Sequence, residues 1–174
     1  MYNYILRIID IIENGTYGGV SMGALHATGY TMRALRLLPP SIAMMPKPLC
    51  IPMLRNTTEY TPLAGDYQDS QAEVTFDLRF YLSDIDENKA LDYIQLSKYS
   101  LLATELFLSR PQLQYNDNGI VSGGSLRWQI VSDLSVPLFY PFNAPQNLAI
   151  PYWGFQAKLT IPHTLGINLY PKGA

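Results

Sequence analysis

The sequence predicts an α+β fold: a mainly antiparallel sheet packed by an N-terminal helix and one long central helix, with long Pro- and Gly-rich loops. Three observations carry that expectation. Near the start, polar Asn3, Arg7, Asp10 and Asn14 recur at spacings of four, three and four among apolar neighbours, one narrow stripe on a helix. In the middle, Val74, Phe76, Leu78, Phe80 and Leu82 alternate with Glu73, Thr75, Asp77, Arg79 and Tyr81, the period of a strand. Between 87 and 109 runs a helical stretch that Pro111 ends.

Taken in order, the first helix spans 2–13, and Gly15 follows it as a C-terminal cap. Its many β-branched Ile residues leave a buried strand as the alternative. Residues 15–30 hold five of the twelve glycines and show no period, so 15–32 reads as a long loop. Pro39, Pro40, Pro46, Pro48 and Pro52 forbid a long helix over 33–53 and permit short edge-strand pieces such as 41–45. A turn is expected around Gly65 and Asp66. The alternating strand covers 73–82, one face core and the other wet or against a partner. Ser83 to Asp86 supply the acidic start of the central helix. Its apolar stripe is expected at Ala90, Leu91, Ile94, Leu101, Leu102 and Leu108, with Lys98 snorkelling. Turns at 116–119 and 122–124 precede a strand over 126–131. Residues 137–151 form a second long loop, and the last strand, 152–161, puts Trp153, Phe155, Ala157, Leu159 and Ile161 on one face.

The 174 residues suit a single domain, 1–174. Apolar residues make up 48% and charged residues 15%, against about 25% charged in an ordinary soluble protein. That balance opposes disorder and leaves surface for something other than water. Thirteen tyrosines fit the same picture, because a phenol tolerates a half-wet interface position. The net charge of −2 gives no footprint for general nucleic-acid binding. A lone Cys50 excludes an intramolecular disulfide and a multi-cysteine zinc site. The start has no basic segment ahead of an apolar run, and the uncharged stretch 134–157 is broken by Pro137, Pro141, Pro145 and Pro151. A cytoplasmic protein with no membrane partner is expected.

The charges are sorted along the chain. From Asn14 to Thr58 the only charged residues are Arg33, Arg36, Lys47 and Arg55, a sum of +4. From Glu59 to Asp92, nine acids stand against Arg79 and Lys89, a sum of −7. Two sides of one solvated domain would account for this. So would a protomer whose faces attract head to tail in a ring.

Candidate chemistry is sparse. Gly19-Val20-Ser21-Met22-Gly23 matches the G-x-S-x-G string, with His163 and either Asp133 or Asp84 as conceivable partners of Ser21. The strand–turn–helix context that lifts such a serine is not predicted, and a glycine loop explains the string. His26 and His163 lack ligand-spaced partners, and no Gly-Lys-Ser/Thr ends the glycine segment. No catalytic set, cofactor site or metal site is expected. The aromatic residues Phe139, Tyr140, Phe142, Tyr152 and Trp153 crowd into a short stretch. They either fold back over their own core or anchor another protein.

The order of segments resembles the tail-terminator (tail-completion) proteins of tailed bacteriophages, which include the gpU-like minor tail proteins. The matching pieces are the N-terminal helix, Leu37-Leu-Pro-Pro-Ser-Ile-Ala-Met-Met-Pro46, the strand Ala72-Glu-Val-Thr-Phe-Asp-Leu-Arg-Phe-Tyr-Leu82, the helix ending in Ser109-Arg-Pro-Gln-Leu113, and Tyr152-Trp-Gly-Phe-Gln-Ala-Lys-Leu-Thr-Ile161. The likeness covers most of 33–163 and leaves 15–29 and 137–151 unmatched. It implies a non-enzymatic virion part, assembled in the host cytoplasm, whose six copies close a ring on the tail tube and stop polymerisation. The ring then meets the head-tail connector or stopper protein in the neck, and genomic DNA passes its lumen without sequence-specific binding. Glu73, Asp77 and Arg79, with the five clustered aromatics, are the interface candidates for such a part. The alternatives are another neck or adaptor protein acting as a binding module and, last, a small serine hydrolase using Ser21.

Overall fold

The computed structural model describes residues 2–55, 60–62, 70–86, 91–111, 113 and 125–164. The turns expected at 65–66, 116–119 and 122–124 lie outside them, as does Ala90. The described residues form an α+β structure, with two α-helices and a mostly antiparallel sheet.

Helix α1 (Tyr2–Asn14) forms where the polar stripe predicts it. Arg7 pairs with Asp10 at 3.4 Å, and the Asn14 side-chain amide donates to Asp10 at 2.9 Å. The remaining surface is buried through Tyr4, Ile8, Ile9, Ile11 and Ile12. Glu13, the acid that interrupts the apolar set, accepts the backbone N–H of Ala34 at 2.9 Å.

The segment after α1 is more ordered than a loop. Strands β1 (Thr16–Tyr17) and β2 (Val20–Ser21) make a hairpin whose two-residue turn is Gly18 and Gly19, at φ +58° and +78°. Two left-handed residues twist the turn with the hand of the strands it joins, and glycine adopts them without steric cost. A single 3-10 turn, Gly23–Leu25, comes next. Met22 and Met32 are fully buried on either side of it.

Among the described residues a seven-stranded sheet organises the rest. Two fifteen-residue strands, β6 (Ser70–Asp84) and β9 (Ile150–Thr164), pair antiparallel as its spine, with one register shift between Tyr81 and Ser83. On one side β6 pairs with β4 (Leu49–Arg55) and β5 (Tyr60–Pro62). On the other, β9 pairs with β7 (Arg127–Ile130) and β8 (Leu138–Tyr140). The two-residue β3 (Arg33–Ala34) adds to β4 in parallel. The edge strand expected at 41–45 is instead a turn, with the Met45 N–H on the Ile42 carbonyl at 3.1 Å. Flanking prolines deny that segment ladder donors. Pro52 is accepted in β4 beyond the last β3 pairing.

Helix α2 (Tyr93–Leu108) begins later than expected. Ser83 and Asp84 belong to β6, and the cap is Asp92, whose carboxylate accepts the Gln95 N–H at 3.0 Å. The buried stripe also differs. Leu96, Tyr99, Leu102, Ala103, Leu106 and Phe107 face the core, whereas Ile94, Leu101 and Leu108 are exposed. Of the expected stripe, Leu102 is buried in α2 and Leu91, ahead of the helix, packs partly buried against the core. Leucines lie on both faces of this helix, and the position of the sheet selects between them.

Two clusters fill the interior. The larger lies between the helices and the face of the sheet made by Val74, Phe76, Leu78, Phe80, Phe155, Ala157, Leu159 and Ile161. Phe80 stacks on Phe155, and Phe107 on Trp128, at centroid separations of 4.4 and 4.7 Å. The smaller covers one end of the opposite face, around Ile42, Leu49, Ile51, Tyr81, Leu138, Tyr140 and Tyr152. That face, expected to be wet or against a partner, is closed by the chain itself at Tyr81. Further along it Thr75 and Thr160 are buried with their hydroxyls 3.4 Å apart.

Burial holds six phenols, of Tyr4, Tyr30, Tyr81, Tyr99, Tyr140 and Tyr152, above their ordinary pKa near 10, Tyr4 and Tyr81 reaching about 12. A phenol raised on folding keeps its stabilising contribution below the unfolded pKa and loses it as pH climbs through the folded one. The expected result is cooperative alkaline unfolding between pH 10 and about 12. Phenolate absorbance should rise together with the loss of far-UV circular dichroism. Smooth ionisation of every tyrosine near 10 with the fold intact would contradict it.

Candidate functional site

The Pro-rich segment 35–47 is a pinned arm rather than a free loop. Ile42 is fully buried in the smaller cluster. The Tyr140 hydroxyl donates to the Pro39 carbonyl. Lys47 secures the base: its ammonium donates to the carbonyls of Ile42 and Met45 at 3.1 and 3.2 Å, pairs with Asp84 at 2.9 Å, and lies 4.8 Å from the centre of the Tyr152 ring. Only 6% of its side chain is exposed. All three ammonium protons have acceptors, which is what allows a lysine to be buried.

Held in this way, the arm turns Leu37, Leu38 and Met44 outward, at 83%, 56% and 97% exposure. Apolar side chains on an ordered arm lose little further backbone freedom when another protein covers them. Lys47→Met keeps the stem volume and removes the charge contacts. It is expected to cost about 2 kcal/mol, since Asp84 stays 68% exposed and is not stranded in the interior. Urea unfolding would read the loss, and proteolysis within 35–47 would report release of the arm.

The sorted charges meet inside one chain. Strand β4 carries the end of the basic run and lies antiparallel to β6, which carries part of the acidic run. Arg55 therefore pairs with Asp77 at 3.2 Å and Lys47 with Asp84. Glu73 pairs with Arg127 of β7 at 2.6 Å. Glu73 and Asp77, proposed from sequence as interface carboxylates, thus have partners within the chain. Reversing Asp77 would set it against Arg55 and against Lys158, its cross-strand neighbour on β9, and so would test the fold before any assembly. Arg79 lies 4.7 Å from the centre of the Phe142 ring, close enough for a cation–π contact. Its Nε is buried without a hydrogen-bond acceptor among the described residues.

Of the five clustered aromatics, Tyr140 and Tyr152 are core residues, each set edge-on to Tyr81 at 5.8 and 5.7 Å. They cannot also serve as surface anchors. Phe142 packs against the same cluster, Trp153 packs against the larger one, and Phe139 is half-buried on β8. The expected long loop 137–151 contains β8, a 3-10 turn at Gln146–Leu148 and the start of β9. Its exposed apolar residues are Leu148 and Ile150.

A cavity of about 520 Å³ lies beside the start of α2, lined in part by Asp84, Asp86, Asp92, Gln95, Tyr99 and Trp153. Four of its polar side chains are already engaged: Asp84 by Lys47, Asp92 by the Gln95 N–H, Asp86 by another contact in the chain, and the Gln95 amide by the Leu25 carbonyl at 2.9 Å.

Ser21 ends a two-residue strand, and its Oγ accepts the Ala24 N–H at 3.2 Å. The turn that follows is 3-10, closed by the His26 N–H on the Gly23 carbonyl at 3.0 Å, so the strand-to-α-helix corner of a nucleophile elbow is not formed. His26 stacks edge-on against Tyr30 at 4.7 Å. Of His163 the backbone in β9 is described. Among the described residues no group of His, Cys, Asp and Glu could hold a metal ion, and no helix is long and apolar enough to cross a membrane. Sequence reasoning missed the outward set of Leu37, Leu38 and Met44. Their signal was present in the apolar residues that fill the gaps between the prolines. Comparison of the chain with protein-family models, with curated proteins and with solved structures gives no match.

Proposed function

We propose that this chain is a non-enzymatic assembly protein of a virion: a tail terminator whose copies close a ring on the tail tube. The observation that carries the reading is the pinned arm with Leu37, Leu38 and Met44 turned to solvent, in the same segment that resembles the tail-terminator proteins. A ring needs a head-to-tail contact in which one face of a protomer meets a different face of the next. An apolar arm fixed to its own domain suits one side of such a contact. In this reading the ring has six copies, ends tube polymerisation, and meets the connector or stopper protein of the neck. DNA passes its lumen without sequence-specific contacts, and assembly takes place in the host cytoplasm. The central helix is the long helix of the ring subunit. Segments 15–32 and 137–151, with exposed Tyr17, Val20, Leu148 and Ile150, are the connections that face its neighbours.

Light scattering across a concentration series tests it. A species of six times the 19.6 kDa chain mass is expected, and Leu37→Asp with Met44→Asp should abolish it while leaving the thermal transition in place. If addition of tail tube also fails to assemble the wild-type chain, the ring reading is wrong and a monomeric neck adaptor replaces it.

A further inference from the structure

We infer that α2 carries a second, separate docking surface whose occupant is another copy of this chain, with the two α2 helices antiparallel across a two-fold axis at Leu101. The starting point is the helix face that the sheet leaves uncovered. Ile94, Leu101 and Leu108 are 70%, 62% and 52% exposed, and they stand seven residues apart. Two helices pack lengthwise along a seam built from two heptad positions; α2 supplies apolar residues at one of them and the small Ser97 and Thr104 at the other. Ile94, Ser97, Lys98 and Leu101, beside Tyr93, line a shallow depression of about 320 Å³. Four residues at that spacing make the hole that receives a side chain from a facing helix.

Charge identifies the occupant. The seam is flanked by one cation, Lys98, and one anion, Glu105. Among the described residues neither has an ion-pair partner in its own chain. Antiparallel pairing centred on Leu101 sets Ile94 opposite Leu108 of the second copy and brings Lys98 beside its Glu105. The two-fold axis makes each of these contacts twice. In a parallel pair Lys98 and Glu105 would instead face Tyr93 and Ser100 of the second helix, which carry no charge to meet them. The face is therefore complementary to its own reversed copy, the property an isologous contact requires.

This inference goes beyond the ring and does not rest on it. A ring contact is head-to-tail, whereas the α2 contact is two-fold, so it pairs free chains or joins two rings face to face. The test is sedimentation equilibrium on the full chain, with Lys98→Glu, Glu105→Lys and the double variant, each checked for an unchanged thermal transition. The wild type is expected to show a concentration-dependent doubling of mass. Each single variant should weaken it about tenfold or more, and the double variant should restore it. Leu101→Cys should oxidise to a disulfide-linked dimer, and Ile94→Cys should cross-link only when mixed with Leu108→Cys. The native Cys50 is buried and does not compete. Three results overturn the proposal: no doubling at any concentration, doubling indifferent to the charge variants, or cross-linking of Ile94→Cys with itself. A wild-type chain that doubles in mass but forms no six-copy species, with or without tail tube, would count against the ring reading alone.

Discussion

Gly154→Ala is expected to cost more than about 4 kcal/mol, in the range reserved for direct conflicts with the fold. A β-carbon on Gly154 would lie 1.9 Å from the Phe80 carbonyl oxygen, 3.0 Å from its carbon and 3.3 Å from the Tyr81 α-carbon. All three are backbone atoms of the paired strand, so no side chain can rotate away. Strands β6 and β9 would have to separate where Phe80 stacks on Phe155 and where the register shifts between Tyr81 and Ser83. The midpoint of thermal unfolding should fall by about 8 to 16 °C. An alanine variant that melts with the wild type would mean that the two strands are not in this register.

Tyr81→Ala is the second large effect, about 3–5 kcal/mol for a fully buried aromatic residue. Tyr81 is the centre of the smaller cluster, with Tyr140 and Tyr152 edge-on to its ring. Its hydroxyl donates to the Phe139 carbonyl at 3.3 Å. Tyr81→Phe keeps the packing and removes that bond, so about 1 kcal/mol is expected from it. The pair of variants separates packing from hydrogen bonding in one urea series. The loss should also have a functional side. Tyr140 holds Pro39, and Tyr152 lies under Lys47. Without Tyr81 between these two, the arm loses its footing, and with it the fixed display of Leu37, Leu38 and Met44. Early cleavage in 35–47, with the helical signal retained, would identify that route. Global unfolding with no early cleavage would show that the two clusters fold as one.

The arm and the charges show where reading a sequence stops. Residues 35–47 carry prolines and apolar side chains but no period. Nothing local reveals that Ile42 points inward while Leu37, Leu38 and Met44 point out. That choice is made by Tyr140, about a hundred residues away, and by the acceptors around Lys47. The basic and acidic runs could equally have faced two neighbouring protomers. They meet in one chain because β4 and β6 are antiparallel neighbours, with Met53 opposite Asp77 and Arg55 opposite Thr75.

By itself the sequence determined those elements whose pattern repeats over three or more turns or pleats: α1, β6 and β9, together with the α+β class they imply. Periodicity in these segments reports a burial difference between two faces, and that difference is local. The start of α2 and the choice of its buried face were decided only by tertiary structure. Leu102 and Leu106 compete with Ile94, Leu101 and Leu108 on one helix, and the sheet covers the first set. Tertiary structure also decided between core and anchor for Tyr140 and Tyr152, placing both in the core because β8 folds back along the first residues of β9. Burial of a side chain whose covering residues are distant in sequence leaves no period in its own segment.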